Sequence, residues 1–85
     1  MARYFFHLSG ALEIRDREGS ELPDLDAAKC EAVQLIAQTL CDQPRSFWDA
    51  DHYRVTATDD QGLVLFTVEM IATLSAAVTA DRPRA

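Results

Sequence analysis

Glycine, proline and cysteine are all scarce here, with three, three and two copies in 85 residues. The glycines stand apart, each at an expected turn, so no glycine-rich loop exists to cradle a phosphate. Cations are also in deficit: 8 Lys and Arg face 14 Asp and Glu, leaving a formal charge of −6. That balance disfavours nucleic acid as a partner, because phosphate binding is driven by basic side chains that release counterions. An acidic surface serves solubility, or the docking of a basic protein. Long apolar runs are missing too, and nothing approaches the ~20 residues of a membrane span. Cys30 and Cys41 fall eleven positions apart on one expected helix, roughly 16 Å along its axis. A disulfide needs Cα atoms within about 7 Å, so both are expected to stay thiols. With no secretory leader, a cytoplasmic location is expected.

What the chain does contain is one long amphipathic helix. From Asp24 to Cys41, Leu25, Ala28, Ala32, Leu35, Ile36, Thr39 and Leu40 recur every three or four residues, with Val33 widening the stripe. Asp26, Ala27, Glu31, Gln34, Gln38 and Asp42 take the opposite side. Asp24 is placed to cap the first turn, and Pro44 is expected to end the helix.

Four strands flank it. Tyr4, Phe6 and Leu8 alternate with Arg3, Phe5 and His7; Leu12 and Ile14 alternate with Glu13 and Arg15. The polar run Asp16–Glu21 then leads towards the helix. After an irregular link holding Phe47 and Trp48, Tyr53, Val55 and Ala57 alternate with Arg54, Thr56 and Thr58. Asp59-Asp60-Gln61-Gly62 suits a hairpin turn, and Leu63–Glu69 forms the last strand. The reading is an α+β fold of order ββαββ: two hairpins making a four-stranded sheet, one helix on one face. Strands one and four, apolar on both faces, are expected at the centre, with two and three at the edges. Residues 1–69 make the domain. Residues 70–85 are a tail, a short helix or frayed, its last five residues disordered.

Sites of chemistry are weak. Asp49-x-Asp51-His52 lacks a metal-ligand spacing. Asp16, Glu18, Glu21, Asp24 and Asp26 miss the EF-hand pattern, with Gly19 at the fourth position and Ala27 at the twelfth. An enzyme would need His7, His52 and nearby carboxylates to converge in one pocket. Cys30 and Cys41 have no histidine near in sequence to act as a base. Phe47 and Trp48 read as a plug at the end of a small core. No catalytic residue, metal site or cofactor is expected.

Met1-Ala2-Arg3-Tyr4-Phe5-Phe6-His7-Leu8, then Asp16-x-Glu18-Gly19-x-Glu21-Leu22-Pro23-Asp24 and an alanine-rich helix, resemble a domain-of-unknown-function family of short, mostly bacterial proteins. The similarity runs on through Tyr53-Arg54-Val55 and the Asp-x-x-Gly turn to Leu65, leaving out Phe47-Trp48 and the tail after Glu69. The resemblance implies no activity. A fainter one is to the partial-RNase-H-like antitoxin domains, through the opening hairpin and the Leu-Pro-Asp approach to a helix.

One helix covers one side of a sheet, so the other side is expected to be open. Phe5, His7, Leu63 and Leu65 are the candidate interface, and the expected function is a protein-interaction or accessory domain acting as a homodimer. The alternative is an acidic, antitoxin-like regulator that binds a small basic protein.

Overall fold

The structure, a computed structural model, describes residues 1–10 and 13–81, with backbone alone for Ser46, Ala50 and residues 79–81. In chain order the elements are β1 (Ala2–Gly10), β2 (Ser20–Leu22), α1 (Leu25–Asp42), α2 (Pro44–Ala50), β3 (His52–Thr58), β4 (Val64–Ile71) and α3 (Ala76–Asp81). The fold is α+β, with an antiparallel sheet of order β2-β1-β3-β4 and α1 across one face.

The Asp24 carboxylate accepts from the Ala27 N–H at 2.8 Å and starts α1. Ala28, Ala32, Ile36 and Leu40 are its buried residues. Two alanines on that line bring the helix backbone close to the sheet. Leu35 and Thr39 are half-buried, while Leu25 and Val33, expected on the apolar stripe, are exposed. The sheet is narrow under the helix, so only the central line of the stripe is covered. Beneath it lie Tyr4, Phe6 and Leu8 of β1 and Tyr53, Val55 and Ala57 of β3. Ala57 faces Phe6 and Val55 faces Leu8 across the β1–β3 ladder.

Pro44 does end α1, but it also starts α2 as an N-terminal proline, so the expected irregular link is a helix. Phe47 is buried and stacks on Tyr53 at 5.8 Å, plugging the core; Trp48, edge-on to Phe47, is exposed. Asp51 ends α2 in the left-handed region (φ 57°), a conformation that aspartate tolerates.

Two expectations about strands are corrected. The expected second strand is not a continuous one: Ile14 makes a single antiparallel bridge to Leu8, and Leu12 lies outside the described residues. The chain then leaves β1 for Asp16–Gly19 and returns as β2. The departure is held by side-chain chemistry, since the Asp16 carboxylate takes the Phe6 N–H at 3.1 Å where a strand carbonyl would otherwise sit. The strand order differs as well. β3 is central and β4 is the edge, the reverse of the expected placing. A sheet with one helical layer has one wet face, so even a central strand needs apolar residues on one side only.

β4 also continues through Met70 and Ile71, residues assigned to the tail from sequence. The tail does contain a short helix, α3, whose Ala76, Ala77 and Val78 are exposed. Its described side chains do not cover the open side of the sheet. The expected disorder at the C-terminus falls, beyond Asp81, on residues outside those described.

Candidate functional site

The sheet face away from α1 carries the odd residues of β1 and the even residues of β3. Near its centre, His7 accepts from the Asp16 N–H at Nδ1 (3.2 Å), so Nε2 carries the proton and donates to Thr58 Oγ1 at 3.2 Å. Asp16 is the knot of this corner. Besides Phe6, its carboxylate accepts from the N–H groups of Glu18 at 3.1 Å and Gly19 at 3.0 Å. Burial by itself raises the Asp16 pKa, but the N–H groups of Gly19, Phe6 and Glu18 outweigh it. The carboxyl is held below its ordinary value. Gly19 has φ +74°, and a Cβ there would come within 3.0 Å of Arg3, the Tyr4 carbonyl and the Phe5 ring. The loop therefore lies close against β1 and half-buries Phe5.

Three of the five carboxylates in the acidic run have local partners. Asp16 folds its own loop, Glu21 pairs with Arg3 at 3.3 Å, and Asp24 caps α1. No cluster of three His, Cys, Asp or Glu with the geometry to hold a metal occurs among the described residues. His52 lies on the same face as His7 but four residues along β3 from its neighbour Thr56, roughly 13 Å away. It bonds Glu69 at 3.2 Å, and Arg54 reaches the same carboxylate at 3.4 Å. The two imidazoles do not converge. Cys30 and Cys41 are free and exposed. A cleft of about 590 Å³ opens between the 14–20 loop and α1, floored by Phe6, Leu8 and Leu35 and rimmed by Arg15, Arg17 and Glu31. Among its described lining residues no hydroxyl is hydrogen-bonded to a carboxylate or imidazole, the Thr39 hydroxyl donating to the Leu35 carbonyl instead.

The four candidate interface residues divide into two pairs. Phe5 and His7 are half-buried, held beneath the Asp16 loop and its hydrogen bonds. Leu63 and Leu65 are open, at 63% and 37% exposure. Val64 beside them is exposed too, as are Met70 and Ile71 at the far end of β4, on opposite sides of the strand. The middle of the outer face is polar instead: Thr56 opposite His7 and Thr67, and Arg54 opposite Ser9 and Glu69. Periodicity alone singled out Leu63 and Leu65. What it missed was Val64, Met70 and Ile71, and placing β4 at the edge would have exposed them.

No helix of the described residues is long and apolar enough to cross a membrane. No curated protein and no solved structure matches the chain, and the resemblance to antitoxin domains gains nothing from these comparisons. The family resemblance is a different matter. A family profile matches residues 3–72, running through Phe47-Trp48 and past Glu69, so the chain belongs to the family described as Domain of unknown function (DUF6894).

Proposed function

We propose that this protein is a small interaction domain that works as a homodimer, with the β4 side of the sheet as its contact surface. The observation that supports this is the exposure of apolar residues at both ends of the edge-strand stretch, Leu63, Val64 and Leu65 at one end and Met70 and Ile71 at the other. Burying roughly a few hundred Å² of that surface at about 25 cal/mol per Å² gives several kcal/mol before the cost of association. A two-fold dimer uses one surface twice, which is the commonest solution for such a patch. The free, exposed thiols fit a reducing, cytoplasmic setting. The charge of −6 supports a second reading, docking of a small basic protein, which co-purification from the host would reveal.

Sedimentation velocity over a concentration series tests the dimer. The wild type is expected to sediment as a dimer at micromolar concentration, and Ile71→Lys, at a residue 69% exposed, as a folded monomer. A wild type that stays monomeric at high micromolar concentration overturns the reading.

A further inference from the structure

We infer that two copies join by pairing β4 with β4, antiparallel about a two-fold axis through Val68, to make one eight-stranded sheet. This rests on the self-association proposed above and specifies its geometry. The Ala72 N–H bonds the Asp51 carbonyl at 3.0 Å, so residue 72 faces β3. Backbone direction alternates along a strand, so Met70, Val68 and Phe66 face β3 as well, while Ile71, Glu69 and Thr67 turn their N–H and C=O groups to the open side. Those groups are a ready template for another strand.

The devices that normally blunt an edge are missing. Val64–Ile71 holds no proline, glycine or lysine, and its one charge, Glu69, is already engaged by Arg54 and His52. The irregularity opposite Ala57 and Thr58 bends only the first end of β4.

The alternation admits a few registers, and side-chain matching separates them. An axis at Glu69 sets two carboxylates opposite each other, which repels. An axis at Thr67 sets Leu65 against the partner's Glu69. The axis at Val68 sets Phe66 against the partner's Met70 and Val68 against the partner's Val68 on the helix side. On the outer side it sets Leu65 against the partner's Ile71 and Thr67 against the partner's Glu69. Every apolar residue then meets an apolar one, and the two core layers become continuous across the axis. A second copy is favoured over an unrelated strand by this self-complementarity.

The register can be read with cysteines. In a Cys30→Ser, Cys41→Ser background, Thr67→Cys, Val68→Cys and Glu69→Cys are oxidised in turn and the covalent dimer is followed. Val68 faces its own copy as a non-hydrogen-bonded pair, with Cα atoms about 4.5 Å apart, inside the range for a disulfide. Val68→Cys is therefore expected to cross-link at least about tenfold faster than the other two, whose copies are offset by two residues. Thr67→Pro removes an N–H that faces only the open edge and is expected to give a folded monomer. Faster cross-linking at Thr67 or Glu69, or a dimeric Thr67→Pro, overturns the axis at Val68. If none of the three cross-links while the wild type still sediments as a dimer, edge pairing falls and self-association stands. A wild type that is monomeric throughout overturns both.

Discussion

Asp16 shows how one side chain can set the course of the backbone. Its carboxylate gathers three N–H groups from two directions, two in its own loop and one from β1. Asp16→Ala leaves the Phe6 N–H, part of the half-covered edge of β1, without that acceptor. Losing such a bond costs about 1–3 kcal/mol, and that is the expected loss at pH 7. The pH dependence follows from the lowered pKa. The folded carboxyl titrates below its ordinary value of 3.8, so its contribution is complete above that value and is lost as pH falls through the folded pKa. Urea titrations at neutral pH and at pH near 3 are expected to show the gap between wild type and Asp16→Ala narrowing in acid. A gap that stays constant would place the carboxylate outside the loop's folding. None of this was legible in the residue pattern, because a carboxylate that replaces a strand carbonyl leaves no period behind it.

At the level of elements, the helix was legible and the sheet order was not, for one physical reason. A helix repeats often enough to show its face over eighteen residues, and Asp24 and Pro44 mark its two ends. The face is nonetheless narrower than the stripe, as exposed Leu25 and Val33 show. Ile36, fully buried at the middle of α1, is expected to cost about 2–5 kcal/mol when changed to alanine. Leu35→Ala is expected to cost less, since Leu35 is half-buried at the rim of the cleft. Gln34→Ala and Gln38→Ala, both exposed, are expected to fall within about 0.5 kcal/mol of wild type. Chemical denaturation of the four variants checks the ranking, and equal losses for Ile36 and Gln38 would refute the assigned face. Strand order has no comparable marker. The two-sided apolarity of Leu63–Glu69 suggested a central strand, whereas it belongs to an edge where Phe66 and Val68 reach the core and Leu63, Val64 and Leu65 are exposed. Tyr53, Val55 and Ala57, apolar on one side only, sit at the centre because the opposite face of their strand meets polar neighbours and water.

The whole molecule divides into a packed body and an appendage. Core residues run from Tyr4 to Ala57, with Phe66, Val68 and Ala72 packed against them, and the family match ends at the same Ala72. Beyond it, α3 exposes Ala76, Ala77 and Val78, and none of its described side chains joins the core. Short helices gain their stability from tertiary packing, and six residues alone are far below the ~12–15 at which an isolated helix becomes marginal. A chain ending at Ser75 is therefore expected to keep the urea midpoint and slope of the full protein, within about 0.5 kcal/mol. It is also expected to keep the same sedimentation behaviour, because the edge proposed to pair, Thr67–Ile71, lies wholly upstream of the cut. The two readouts separate two roles for the tail. A lower midpoint would mean that residues 76–85 stabilise the body. An unchanged midpoint with a lost dimer would mean that the tail reaches the partner copy, which would move the contact surface off β4.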